Sequence, residues 1–184
     1  MLHNSIQTAA DCLPIDVEVI LYKIYKYFDI YTVRTESLKE FCEFAEVEYR
    51  SLLSHTKTRW MSLFPALQRV IAMFDGLKSY FMSIEKCPRI LNDFFSDGTS
   101  LLWLKFLADQ LDVYDRTIRQ MQSEELSLVE VSGLIENLCE TLISRKANRF
   151  VTSSVRNILQ EVEEEGLISK ETFFATTSTT VLNT

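Results

Sequence analysis

The sequence predicts an all-α protein, and three observations lead to that prediction. Only 4 Gly and 3 Pro occur among 184 residues, against ordinary usage of about 7% and about 5%. Sheets, barrels and Gly-rich nucleotide-binding folds need glycine at tight corners, so this scarcity favours long helices joined by short connections. Apolar residues also recur at helical spacing, and 47% hydrophobic residues supply a core. We expect about seven or eight amphipathic helices in a single irregular bundle, with one domain over residues 1–174 and a disordered tail over 175–184.

Helical spacing defines the first elements of the chain. The first helix runs from Ile15 to Tyr31, and because apolar residues also lie off its main stripe, we expect other elements to cover it on two sides. Residues 32–35 break the pattern, and a second helix then continues to near Ser54. The buried stripe of the first helix is expected to contain Val17, Ile20, Ile24, Phe28 and Tyr31. That of the second is expected to contain Leu38, Phe41, Cys42, Ala45, Tyr49 and Leu52.

The third helix is predicted to begin after a cap at Ser62, with Pro65 in its first turn, and to reach Ile84. Gly76 lies inside this helix and costs about 1 kcal/mol relative to alanine without ending it. A short helix follows from Pro88 and ends at Asp97-Gly98.

A long helix, capped by Thr99 or Ser100, is then predicted to end near Gln122. Ser127 and Glu130 have the spacing of a capping box, so the next helix starts there. It ends with basic residues at positions 145, 146 and 149, as the helix dipole favours.

The last long helix is predicted to be capped by Ser153 or Ser154 and to end at Gly166. Leu167 follows that glycine, in the position for the hydrophobic contact of a C-terminal glycine motif. One further turn extends from Ser169 to Phe173.

The charge balance and the cysteines exclude several classes of protein. Nineteen Lys and Arg against 26 Asp and Glu give a net charge of -7, which argues against a nucleic-acid binder as a whole but allows a local basic patch. The cysteines lie far apart among apolar residues, so they predict buried reduced thiols rather than a metal or redox site. They are Cys12, Cys42, Cys87 and Cys139.

Sequence motifs for catalysis are missing. No G-x-S-x-G, P-loop or dinucleotide-binding glycine pattern occurs. His3 and His55 are isolated and are expected to be exposed, although folding could bring either one near a cysteine. The glutamates at 161 and 163–165 point in different directions around a helix and predict a solvated face rather than a carboxylate site.

The stretch from Arg50 to Trp60 is the most unusual local feature. It carries three basic residues, four hydroxyl side chains and no acid in an otherwise acidic chain. Basic and hydroxyl groups contact phosphates, and an aromatic ring stacks on an unpaired base for about 1–3 kcal/mol. The stretch is therefore either a nucleic-acid contact or a polar loop whose Trp60 folds back into the core.

The chain resembles the hAT-superfamily transposases and the domesticated cellular proteins derived from them. Three segments in order carry the resemblance: IYKYFDIYTVRTESLKEFCEF, HTKTRWMSLFPALQRVIAMFDGLKSYF and EKCPRILNDFF. The most specific piece is Thr58-Arg59-Trp60, followed by an amphipathic helix with a proline in its first turn. The resemblance extends from about Leu2 to about Phe174.

This resemblance implies a fold context and a set of contact residues. Family members have an RNase H-like core whose two aspartates and one glutamate bind divalent metal for DNA cleavage, interrupted by a large all-α insertion. This chain is similar to the helices leading into the insertion and to most of the insertion itself, with no complete RNase H-like sheet. Trp60 matches the family tryptophan that stacks on a flipped base. We therefore take Lys57, Thr58, Arg59 and Trp60 as DNA-contact candidates.

The same resemblance implies that the chain is not an enzyme. The aspartate-bearing strands would lie before Met1, the glutamate after Thr184, and the family's Cys-x-x-His just before Leu2. The zinc-finger and C-terminal dimerisation segments of the family are missing too. We expect no catalytic residue, no metal ligand and no cofactor.

Two functional hypotheses follow. The first is a non-catalytic fragment or remnant of a hAT-type transposase that retains weak DNA contact through the loop at 50–60. The second is a helical protein-interaction module whose exposed apolar faces bind a partner or a second copy. We expect no membrane segment and no small-molecule substrate. The expected location is intracellular, and nuclear if the family role is kept.

Overall fold

A computed structural model describes residues 10, 13–54, 62–123 and 125–180. These residues form nine helices and no strand, which confirms the all-α prediction. In chain order the helices are α1 (Val17–Phe28), α2 (Thr32–Phe44), α3 (Leu63–Ala72), α4 (Phe74–Ser83), α5 (Arg89–Ser96), α6 (Ser100–Ser123), α7 (Leu128–Ala147), α8 (Ser153–Glu164) and α9 (Lys170–Thr180).

The chain divides into two compact units. The first unit is Ile15–Leu104, and the second is Lys105–Thr184 together with Met1–Pro14. Helix α6 begins in the first unit and continues into the second. The expectation of a single domain over 1–174 stays a prediction.

The core of the first unit is built from aromatic side chains of α1, α4 and α5. Phe81 is fully buried and stacks on Phe95, with ring centroids 5.1 Å apart and planes 15° from parallel. Tyr27 and Phe28 of α1 meet the edge of Phe81 at 5.1 Å and 5.7 Å. Edge-to-face and offset ring pairs of this kind add about 0.5–1.5 kcal/mol each beyond the burial of their area. The apolar residues that recur at helical spacing thus form a buried core in this unit.

Helix α2 differs from its prediction at both ends. It begins at Thr32, inside the predicted break, and stops at Phe44, so that Tyr49 and Leu52 lie outside it. The stop is caused by Glu46, which has a φ of 55°, and by the Val47 N–H, which donates to the Cys42 carbonyl at 2.9 Å. This is a helix terminus of the type usually made by glycine. Because the left-handed residue is a glutamate and not a glycine, the sequence does not indicate this helix end.

The predicted third helix is two helices, α3 and α4, separated at Met73. Pro65 lies in the first turn of α3 and Ser62 occupies its N-cap position, as predicted, but the Ser62 side chain makes no capping hydrogen bond. The apolar spacing continues without a gap across Met73, which is itself fully buried. A one-residue interruption therefore leaves no mark in the hydrophobic pattern.

Helix ends in the second unit are mostly as predicted. The capping box is present: the Glu130 N–H donates to the Ser127 hydroxyl at 3.3 Å, and the Ser127 N–H donates to the Glu130 carboxylate at 2.8 Å. Gly166 has a φ of 72°, and the Leu167 N–H reaches the Val162 carbonyl at 2.9 Å. Together with the Gly166 N–H, which donates to the Glu163 carbonyl at 3.0 Å, this bond forms the glycine-terminated helix end that the sequence predicted.

Two predictions for the second unit are wrong. The N-cap of α8 is Thr152, whose hydroxyl accepts from the Val155 N–H, rather than Ser153 or Ser154. The last helix is longer than one turn: α9 extends through Thr180, so residues 175–180, expected to be a disordered tail, are helical. The sequence did not predict this helix because a run of threonines has no apolar period. Phe173 is nevertheless fully buried and Thr177 is nearly so. Tertiary packing of these side chains therefore stabilises a helix that intrinsic helix propensity alone does not indicate.

The cysteine prediction is correct at one position and wrong at two. Cys42 is buried, whereas Cys87 is half-buried and Cys139 is exposed. Cys139 follows the buried Leu138, and one residue along a helix turns the side chain by about 100°. Cys12 lies outside the described residues.

Candidate functional site

The predicted DNA-contact residues Lys57, Thr58, Arg59 and Trp60 lie outside the described residues, as do His3 and His55. The described part of the same stretch is residues 50–54. Its backbone is tied to the helices after it. The Arg50 N–H donates to the Met73 sulfur at 3.2 Å, and the Arg69 guanidinium donates to the Ser51 carbonyl at 3.1 Å. The Arg50 side chain binds the Glu48 carboxylate. The first basic residue of the stretch 50–60 is therefore already paired with an acid that lies just before the stretch.

A polar groove lies between α6 and α7, wholly within the second unit. We call it the α6–α7 groove, and its volume is about 400 Å³. Two arginines, two threonines and two side-chain amides line it together with three apolar residues, and none of the nine is acidic. The lining residues are Val113, Arg116, Thr117, Gln120, Leu134, Asn137, Leu138, Thr141 and Arg145.

Arg145 is fixed at one end of this groove. One of its terminal nitrogens donates to the Asp109 carbonyl at 2.9 Å, and its guanidinium lies 4.9 Å from the centre of the Phe150 ring. Burial lowers the pKa of Arg145, the Asp109 carboxylate opposes that shift, and the positive charge of Arg116 adds to it. The two guanidinium groups that line the groove therefore repel each other.

Asp109 also connects α6 to the start of α8. The Thr152 hydroxyl donates to the Asp109 carboxylate, and the same hydroxyl oxygen accepts the Val155 N–H at 3.4 Å. Burial raises the pKa of Asp109, although the hydrogen bond from Thr152 and the charge of Arg145 act in the opposite direction. Asp109 of α6 thus contacts the N-cap of α8 through its carboxylate and Arg145 of α7 through its backbone carbonyl.

Arg116 stands at the exposed side of the groove. It forms an ion pair with Asp112, one turn earlier on α6. The hydroxyls of Thr117 and Thr141 donate to carbonyls of their own helices at 3.1 Å and 2.8 Å. Guanidinium groups and amide side chains bind phosphate and carboxylate oxygens, so the groove has the chemistry to hold an anion.

The sequence pattern does not predict this groove. Its lining positions on α6 are spaced by three and four residues, and those on α7 likewise, so each set shares one helix face. The one indication in the sequence is that polar residues interrupt the apolar stripe of α6, where Thr117 is itself buried. Only the pairing of the two helices brings the sets together.

Several apolar side chains are exposed on α7. This helix has 20 residues, and Leu138 is the only one that it buries. Leu128 and Val129 in its first turn are 89% and 81% exposed, and Ile143 is 61% exposed. An ordinary amphipathic helix turns such residues to the core, so α7 presents an apolar face to its surroundings.

The first unit exposes apolar residues around the ends of α2. Tyr31, expected on the buried stripe of the first helix, is about half exposed, and Ile30, Val33 and Phe44 are largely exposed. On α1 itself Tyr22 is about half exposed, while the helix packs against α2, α3 and α5, in line with the expectation that more than one element covers it. The Arg34 guanidinium covers the ring faces of Tyr27 and Tyr31 at 4.1 Å and 3.9 Å.

The glutamate run at the end of α8 behaves as a solvated face. Glu163 binds the Lys170 ammonium at 2.7 Å, and Glu161, Glu164 and Glu165 are exposed. In the part of the chain that the structure describes, no three His, Cys, Asp or Glu side chains are grouped so that they could hold a metal ion. Within the same residues, no helix has the length and apolar character needed to cross a bilayer.

Comparison with known proteins identifies no family for this chain. No protein-family model matches it, and no solved structure matches it.

Proposed function

We propose that this chain is a helical protein-interaction module that acts through exposed apolar helix faces. The observation that carries the proposal is the surface of α7, where a 20-residue helix buries one residue and exposes Leu128, Val129 and Ile143. Exposed apolar surface is typical of interaction sites where it exceeds what single scattered residues provide. Covering a fully exposed Leu or Val side chain contributes about 1.5–3 kcal/mol, so a partner that covers this face would gain substantial binding energy.

The test is the association state of the purified chain and its binding of a hydrophobic dye. We expect concentration-dependent self-association in sedimentation velocity, or strong dye fluorescence, and we expect the triple variant L128S/V129S/I143S to reduce the signal by more than half. The matched control is I30S/V33S, which removes exposed apolar residues of the first unit instead. A parent protein that sediments as a monomer and binds no dye contradicts the proposal, and so does an equal loss in the control.

The second candidate function is that of a hAT-type transposase remnant without catalysis, which contacts DNA weakly through Lys57, Thr58, Arg59 and Trp60. The acid-free basic stretch and the resemblance of the three quoted segments support it. A stacking role for Trp60 predicts that W60A weakens binding to single-stranded or hairpin DNA while the melting temperature stays near that of the parent. If Trp60 is a core residue, the same change costs about 3–5 kcal/mol of stability.

The absence of catalysis has a separate test. Purified protein incubated with DNA and magnesium or manganese should leave the strands intact. Metal-dependent cleavage that a point mutation in this chain abolishes would contradict the remnant hypothesis.

A further inference from the structure

The α6–α7 groove combines features that phosphate recognition requires. Its nine lining residues include two guanidinium groups, two hydroxyls and two side-chain amides, and no carboxylate. Guanidinium groups bind phosphate oxygens through parallel N–H donors, and side-chain amides can donate to the remaining oxygens. The groove is also large enough for a small organic ligand, at a volume of about 400 Å³.

We propose that this groove binds a phosphate monoester, with the phosphate between Arg116 and Arg145 and the organic part against Val113, Leu134 and Leu138. This proposal is independent of the interaction function, because the exposed apolar residues Leu128, Val129 and Ile143 do not line the groove.

The electrostatics of the two arginines favour a dianion over a neutral ligand. Burial lowers the pKa of Arg145 and the charge of Arg116 lowers it further, whereas the carboxylates of Asp109 and Asp112 raise it. A phosphate monoester carries between one and a half and two negative charges at neutral pH. Placed between the guanidinium groups, it replaces their repulsion by two attractive contacts.

The existing partners of the two arginines leave room for such a ligand. The hydrogen bond from Arg145 to the Asp109 carbonyl engages one of the five N–H groups that a guanidinium carries. Arg116 is held by Asp112 in a pair whose side chains are both substantially exposed. Exposed pairs between neighbouring turns of a helix are weak, so Arg116 can turn from Asp112 toward a bound phosphate without a large loss.

Helix α6 offers a matched control for this site. Arg119 pairs with Asp115 across one helix turn, in the same way that Arg116 pairs with Asp112, but Arg119 does not line the groove. Replacing either arginine by glutamine removes the same charge and breaks the same kind of pair. A difference between R116Q and R119Q therefore reports the groove rather than the overall charge of the protein.

The experiment is a titration of the full chain with phenyl phosphate, followed by isothermal calorimetry at constant ionic strength. We expect saturable binding at concentrations up to about 10 mM, an affinity at least about tenfold lower in R116Q, and an unchanged affinity in R119Q. Circular dichroism checks that both variants keep the helicity of the parent. Inorganic phosphate should bind several times more weakly, because it lacks the group that contacts the apolar side chains.

Three results would overturn the proposal. Binding that does not saturate, or that R119Q weakens as much as R116Q, indicates diffuse attraction of anions. Equal affinities for phenyl phosphate and inorganic phosphate exclude a contact with the organic group. Binding of a single-stranded oligonucleotide that depends on Arg116, without binding of phenyl phosphate, indicates a phosphodiester backbone as the ligand.

Discussion

Gly76 of α4 lies directly against Cys42 of α2. A Cβ atom at position 76 would come within 2.7 Å of the Cys42 sulfur and 3.0 Å of its Cα atom. The second distance involves the backbone of α2, which cannot turn aside as a flexible side chain can. The two helices therefore approach each other closely because residue 76 has no side chain.

This contact predicts that G76A destabilises the protein although alanine is the better helix former. Overpacking of a core costs about 1–3 kcal/mol, and the helix-propensity gain of alanine returns about 1 kcal/mol. We expect a net loss of up to about 2 kcal/mol in the free energy of unfolding, measured by chemical denaturation. The control is G133A: Gly133 lies within α7 and has no atom within 4 Å of its Cβ position, so alanine should stabilise the protein there. A stabilising G76A would contradict the close approach.

Gly76 also marks the boundary between what the sequence predicts and what it does not. The helical period predicts the all-α class, and the local signals at Ser127, Pro65 and Gly166 predict helix ends correctly. From the sequence, Gly76 is expected only to lower helix stability, because Cys42, the neighbour that requires a glycine there, lies 34 positions earlier in the chain. The α6–α7 groove escapes prediction for the same reason, since each helix supplies only part of its lining.

Glu46 gives a second prediction, because it ends α2 with a φ of 55°, a conformation that glycine adopts without steric cost. A left-handed residue other than glycine costs about 1–2 kcal/mol, so we expect E46G to raise the free energy of unfolding by about 1 kcal/mol. E43G is the matched control: Glu43 lies within α2, where glycine costs about 1 kcal/mol. The two substitutions remove the same charge and should shift the denaturation midpoint in opposite directions. A loss of stability in both variants would show that residue 46 is not left-handed.

Thr152 gives a third prediction, because it caps α8 where the sequence suggested Ser153 or Ser154. T152A removes the acceptor for the Val155 N–H and the donor to Asp109, so it should cost about 1 kcal/mol or more. S153A, at the exposed first residue of α8, should change the free energy of unfolding by no more than a few tenths of a kcal/mol. Thermal melts of both variants and of T152S, which keeps the hydroxyl, measure the difference. A larger effect at Ser153 than at Thr152 would restore the cap that the sequence suggested.

Asp109 gives a fourth prediction, which concerns the dependence of stability on pH. Burial raises the pKa of Asp109 above its ordinary value of 3.8, so the folded protein holds this proton more tightly than the unfolded chain. Its contribution to stability is therefore complete below the pKa of the unfolded chain and is lost as the pH rises through the higher pKa of the folded state. D109N carries no titrating group, and its amide oxygen can still accept the hydrogen bond from Thr152. The difference in the free energy of unfolding between D109N and the parent should thus shift in favour of D109N as the pH rises from below 3.8 to neutrality. Urea denaturation across this range measures that difference, and a shift in favour of the parent over the same interval would show that the carboxylate is stabilised in its charged form instead.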